Sequence, residues 1–163
     1  MLKQQLVIQY NEYSSAEKLP KAERDLLQMA RQSALLAYAP YSSFYVGAAL
    51  LLQDGTIVCG NNQENAAYPS GLCAERVAAY AGGSQFPKVA FAMLAVSCYS
   101  KENEIVLPLS PCGACRQALA EYEAKLGDLR QAAAEAQERV RAELAEAIAE
   151  ADAEAARQLA VAE

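Results

Sequence analysis

Residues 44–59 read FYVGAALLLQDGTIVC, and this stretch sets the fold class. Phe44 to Gln53 has strand length and is rich in valine, alanine and leucine. Asp54-Gly55 is a two-residue hairpin signal, after which Thr56-Ile57-Val58-Cys59 returns antiparallel. Upstream, Pro20 opens a helix on which Leu26, Leu27, Ala30, Ala34 and Tyr38 recur at helical spacing until Pro40 stops the run. Before it, residues 1–19 form an arm in which Leu6-Val7-Ile8-Gln9-Tyr10 has the alternation of an edge strand.

Downstream of the hairpin, a loop with Asn61, Asn62, Asn65 and Pro69 leads to a helix from about Cys73 to Tyr80, which Gly82-Gly83 closes. Val89 to Ser97 is an almost continuous apolar run of strand length, as in a strand covered on both faces. Ser110-Pro111 is an N-cap and first-turn pair that starts a helix through Leu119. The order helix, hairpin, helix, strand, helix predicts a three-layer α/β arrangement with strand-helix-strand connections.

The composition changes at about residue 124. Residues 124–163 contain 15 alanines, nine acidic and five basic residues, with no proline and no aromatic side chain. Gly127-Asp128 should break and restart the helix. Beyond it Leu129, Ala133, Ala136, Val140, Leu144, Ala147, Ala151, Ala155 and Leu159 trace a stripe of period near 3.6. Such a segment looks like a designed or engineered helix. The predicted organisation is therefore an arm at 1–19, a core at 20–123 and a helical extension at 124–163.

Composition also limits the chemistry. The 163 residues hold 14 Lys+Arg against 20 Asp+Glu, a formal net charge of −6, which argues against nucleic acid or an anionic membrane as a partner. There is no histidine, so Ser-His-Asp and Cys-His catalysis and imidazole metal ligands are excluded. Five cysteines, an odd and sparse set, do not form a secreted disulfide framework. Met1 to Ile8 lacks the apolar run of a signal peptide, and no segment is apolar enough to span a bilayer. A soluble protein of a reducing compartment, the cytoplasm, is expected.

Two short blocks carry the chemistry: Cys73-Ala74-Glu75 and Pro111-Cys112-Gly113-Ala114-Cys115. Cys112 and Cys115 are three apart at a helix start, and Cys73 opens another helix. Three thiolates leave a tetrahedral Zn²⁺ one open position, the catalytic rather than the structural pattern. Helix N-termini favour thiolates through their partial positive charge. Three thiolates and one Zn²⁺ carry a net −1, which Arg76 and Arg116 are placed to offset by donating to sulfur. Glu75 is the acid beside the site. Because i and i+2 point apart on a regular helix, Cys73 must lie at the helix entrance for both to reach one ion. Cys59 and Cys98 read as plain buried thiols of strands.

These blocks, with Phe44-x-Val46-Gly47-Ala48-Ala49, Asn62-x-Glu64-Asn65-Ala66-Ala67-Tyr68 and the continuation Arg116-Gln117, resemble the small tetrameric zinc-dependent cytidine deaminases over residues 22–122. The resemblance implies a mixed sheet with helices on both faces and one Zn²⁺ per chain held by Cys73, Cys112 and Cys115. It implies that Glu75 moves protons between the attacking water, N3 of the cytosine ring and the departing ammonia. Asn62 and Glu64 would hydrogen-bond the ribose 3′-hydroxyl, and Phe44 would pack on the base or sugar. Ala66 and Tyr68 would reach a neighbouring subunit's site in a homo-oligomer, a tetramer or dimer. The implied substrate is cytidine or 2′-deoxycytidine. After residue 122 the resemblance ends, and the long helix stands where the family has further strands. The alternative is an inactive, engineered deaminase-derived scaffold whose long helix serves assembly, fusion or conformational switching.

Overall fold

The computed structural model describes residues 9–102, 105 and 109–161. The chain divides into two compact units, Met1–Leu119 and Ala120–Glu163. The first holds helix α1 (Lys21–Ala34), strands β1 (Phe44–Leu52) and β2 (Ile57–Asn61), helix α2 (Ala74–Gln85) and strand β3 (Phe91–Ser100). Helix α3 (Gly113–Val161) begins in it and crosses the boundary.

The sheet has the order β2-β1-β3, with β1 antiparallel to both neighbours. Strands β2 and β3 therefore run parallel to each other on either side of β1, and α2 is the crossover between them. The described strands pair only antiparallel. Parallel pairing is confined to the isolated bridge between Tyr38 and Gln63.

Side-chain alternation along β1 distributes the two helices. Val46, Ala48, Leu50 and Leu52 point to one face and pack with Val58 and with Ala74 and Ala78 of α2. Ala49 and Leu51 point to the other, against Leu26 and Ala30 of α1. Both helices approach the sheet over glycine. A Cβ on Gly47 would lie 2.0 Å from the Ala30 carbonyl oxygen and 2.3 Å from the Ala34 amide nitrogen. One on Gly60 would lie 2.4 Å from the Ala78 nitrogen and 2.6 Å from the Ala74 oxygen. The buried Ser33 hydroxyl on α1 donates to the Gly60 carbonyl at 2.7 Å, so Gly60 is engaged by both helices.

Several local expectations are corrected. Cys59 is exposed, because it alternates with the buried Val58 and Gly60 along β2, and Cys98 on β3 is half-buried, so neither is the buried thiol expected. The hairpin loop is longer than two residues, because Leu52 stays in the ladder through its amide bond to the Thr56 carbonyl at 2.8 Å. Gly55 then takes the left-handed position (φ 90°) of a three-residue loop, and the Asp54 carboxylate accepts from the Thr56 amide. Helix α1 ends at Ala34, so Tyr38 lies beyond it, and Pro20 is its cap rather than part of its first turn. Helix α2 continues through Gly82-Gly83 to Gln85, since Gly82 is where Leu50 and Phe91 press on the helix rather than a stop.

Strand β3 begins at Phe91 and extends to Ser100. Helix α3 starts at Gly113, two residues after Pro111, and passes Gly127-Asp128 without a break. One glycine costs a helix about 1 kcal/mol, too little to interrupt strong helix formers on both sides. Gln9 and Tyr10 form no strand, and the rest of that predicted edge strand lies outside the described residues. So do most of residues 103–108.

In the second unit residues 120–161 are helical. Val140, Leu144 and Ile148, spaced by four, are exposed, as are Ala147 and Ala151 of the predicted stripe, whereas Ala136 is half-buried. The side chains of Leu129, Ala133, Ala155 and Leu159 lie outside those described. Among the described residues no helix is long and apolar enough to cross a membrane.

Replacing Gly60 by alanine forces the α2 backbone off the sheet. Overpacking of this kind costs roughly 1–3 kcal/mol, and urea denaturation of Gly60→Ala and Gly47→Ala should each show a loss of that size or larger.

Candidate metal centre

Residue 73 is the cap of α2 and has extended backbone (φ −72°, ψ 154°), while Glu75 stands in the first turn. This bend lets Cys73 and Glu75, two apart, line one cavity of about 570 Å³. Cys112 immediately precedes α3, and its carbonyl accepts the first helical hydrogen bond, from the Arg116 amide, at 2.9 Å. Cys115 follows one turn later and is fully buried. The sulfur of Cys112 lies 3.7 Å from that of Cys73 and 3.4 Å from that of Cys115, and all three sulfurs lie within 4.8 Å of one another.

Tetrahedral coordination with Zn–S near 2.3 Å separates ligand sulfurs by about 3.8 Å. Two separations in the cluster, 3.7 and 3.4 Å, lie near that value and none exceeds 4.8 Å, and its donors are the thiols that zinc prefers. Cys73, Cys112 and Cys115 fit the ion.

Electrostatics differ among the three. The Cys115 amide donates to the Cys112 sulfur at 3.4 Å and, with the Cys115 thiol, holds Cys112 below the usual thiol value. Burial pushes Cys115 far above that value, and the Cys112 sulfur and the Glu75 carboxylate push it further. The Arg76 guanidinium donates to the Cys73 sulfur at 3.8 Å and the Gly71 carbonyl at 3.4 Å. Its own pKa is raised, first by that sulfur. The exposed Arg116 makes no hydrogen bond to a cluster sulfur among the described residues.

Glu75 is only 4% exposed, the one buried carboxylate among the described residues, and it faces the cavity. Phe44, Val46, Asn62, Glu64 and Tyr68 line the same cavity. Asn62 extends the β1–β2 ladder with its side chain. Its Oδ1 accepts from the Val46 amide at 2.7 Å, and its Nδ2 donates to the Phe44 carbonyl at 2.9 Å, leaving one N–H unused by these bonds. Glu64 accepts from the amides of Tyr41 (2.9 Å) and Ser42 (3.3 Å) and from the Ser42 hydroxyl. Partial burial raises its pKa, but the Ser42 hydroxyl and these two amides outweigh that and hold it below the usual carboxylate value.

Ala66 is exposed and lies off the cavity wall. The sequence reading missed Ser42, Leu109 and Ser110, which also line the cavity. Proximity of Ser42 to Phe44 was its only sequence signal.

Residues 20–126 match the sequence model of the cytidine and deoxycytidylate deaminase zinc-binding region. The chain belongs to this family. All three cysteines and Glu75 fall inside the matched span. A cytidine deaminase of Sporosarcina psychrophila is 45% identical over 97 residues, 60% of this chain and 67% of that protein. The crystal structure of cytidine deaminase from Burkholderia pseudomallei superposes with a TM-score of 0.53 and 41% identity, covering 58% of this chain and 72% of that one. That from Mycobacterium tuberculosis gives 0.50 and 41%, covering 60% and 75%. The family fold is thus present from α1 to the start of α3. Zinc is the family cofactor, and the cysteine cluster is suited to hold it.

Elemental analysis of the purified protein should find one zinc per chain. Cys112→Ser and Cys115→Ser should lose it, whereas Cys59→Ser and Cys98→Ser should keep it. Because the ligating thiols must be deprotonated, zinc affinity should rise with pH and fall on acidification, a trend that competition with a chromophoric chelator measures.

Proposed function

We propose that this deaminase hydrolyses cytidine or 2′-deoxycytidine to uridine or 2′-deoxyuridine and ammonia. The observation that carries the reading is the cavity lined by Cys73, Cys112 and the buried carboxylate of Glu75, with the buried Cys115 sulfur completing the thiol cluster within 4.8 Å. The names of the similar proteins support the same substrate. A closed structural site would need a fourth protein ligand, and among the described residues the cluster has three.

Zinc, when bound, supplies the acidification of a water that turns it into a nucleophile at neutral pH. The chain's own residues supply the rest. Glu75, facing the cavity from the first turn of α2, takes the two protons of the attacking water in turn, delivering the first to N3 of the cytosine ring and the second to the leaving amine. A bond from oxygen to C4 forms and the bond from C4 to the exocyclic nitrogen breaks, releasing ammonia. Arg76 tempers the charge of the thiolate cluster by donating to Cys73. Phe44 offers an apolar wall to the nucleoside, and Glu64 and the remaining Asn62 N–H offer an acceptor and a donor to the sugar 3′-hydroxyl.

Ala66 and Tyr68 are read as contributions to a neighbouring subunit in a homotetramer or dimer, supported by the 80% exposure of Tyr68. Five free thiols support a reducing compartment, the cytoplasm. The end of the family match at residue 126 supports a core at 20–123 with a helical extension at 124–163, and the alanine-rich composition supports a designed or engineered origin for that extension. Family membership and the assembled site favour the working enzyme over an inactive scaffold.

The decisive assay follows the loss of cytidine absorbance with zinc-loaded protein. Glu75→Gln should retain zinc and lose about 10²–10⁴-fold in kcat, the usual contribution of a positioned proton-transfer group. Full zinc loading with no turnover by the parent protein would overturn the reading.

A further inference from the structure

We infer that Ser42 is a positioning residue that sets the Glu64 carboxylate to accept one sugar hydroxyl. The inference rests on the proposal that Glu64 meets the nucleoside sugar. The main chain of Glu64 is already fixed: its amide donates to the Tyr38 carbonyl at 2.9 Å, and the neighbouring Gln63 exchanges hydrogen bonds with Leu72 at 2.9 and 3.0 Å. Its side chain is held by the same connection between α1 and β1, three and four residues beyond Tyr38. The amides of Tyr41 and Ser42 both reach Oε2, and the Ser42 hydroxyl donates to Oε1. That hydroxyl also accepts from the Phe44 amide at 3.1 Å.

Ser42 thus ties the first residue of β1, itself on the cavity wall, to the carboxylate across the cavity mouth. Ser43 adopts φ 54°, the left-handed region unusual for a residue with a Cβ, and this brings the chain round so that the preceding amides face Glu64. The lone pairs can be counted. A carboxylate has about four acceptor positions. Oε2 accepts two of the bonds described and Oε1 one, so Oε1 keeps a free acceptor position. Removing the Ser42 hydroxyl frees the carboxylate to rotate and frees the Phe44 amide, without touching the thiol cluster or Glu75.

The test uses zinc-loaded full-length protein and two pairs of probes: uridine and 3′-deoxyuridine for calorimetric binding, cytidine and 3′-deoxycytidine for kinetics. Ser42→Ala should weaken uridine binding and raise the cytidine KM about tenfold, with kcat within about twofold, as for one hydrogen bond to a charged group. On the 3′-deoxy probes Ser42→Ala should equal the parent, which also shows that the variant is folded. Ser42→Thr, which keeps the hydroxyl, should restore the parent values. Equal losses on both probes, or no loss on either, would overturn the role of Ser42. Glu64→Ala separates the two levels. If Glu64→Ala weakens the 3′-hydroxy probes alone while Ser42→Ala weakens neither or both pairs equally, only the positioning role fails. If Glu64→Ala shows no loss confined to the 3′-hydroxy probes, the sugar contact fails and the positioning role fails with it.

Discussion

The approach of α2 to β2 at Gly60 is the constraint on which the site depends. A helix usually stands off a sheet by the thickness of two side chains, and here one of the two has been removed. The backbone atoms of Ala74 and Ala78 occupy the space that any Cβ at position 60 would need. The helix residues at the contact are themselves alanines, fully buried, so there is little side-chain freedom by which α2 could rotate or slide. Ser33 reaches Gly60 from α1 and fixes the strand end from its other side. Because Ala74 is the first residue of α2, this contact directly sets where Cys73 and Glu75 stand.

The second consequence is electrostatic. Two of the three thiols, Cys73 and Cys112, sit at helix starts, where unpaired amides and the helix dipole favour negative charge. The third, Cys115, is buried in the first turn of α3, and burial opposes its ionisation. A dication held by Cys73, Cys112 and Cys115 would recover that cost, which would couple metal binding to assembly of the cavity. Arg76 contributes a further positive charge on the Cys73 side. The arrangement keeps Glu75 buried next to the cluster without placing it among the sulfur ligands.

The sequence made the layers and the cysteine cluster legible for physical reasons. Alternation in Phe44–Leu52 determined which residues face each helix, and the Cys-x-x-Cys spacing brought two thiols together at a helix start. Glycine was harder to read. Gly82-Gly83 looked like a stop and Gly127 like a break, yet one marks a close approach to Leu50 and the other lies within uninterrupted helix. Punctuation by glycine depends on what lies opposite it, which is tertiary information. The same holds for Asn62 and Ser42. Their roles come from groups 16 to 22 residues away, the backbone of Val46 and Phe44 for the one and the side chain of Glu64 for the other.

Zinc K-edge X-ray absorption on the protein as purified tests the central claim, a three-thiolate centre with one open position. The account predicts three sulfur scatterers near 2.3 Å and one oxygen or nitrogen near 2.0 Å. Four sulfurs around the ion, or no zinc edge from the protein, would contradict it.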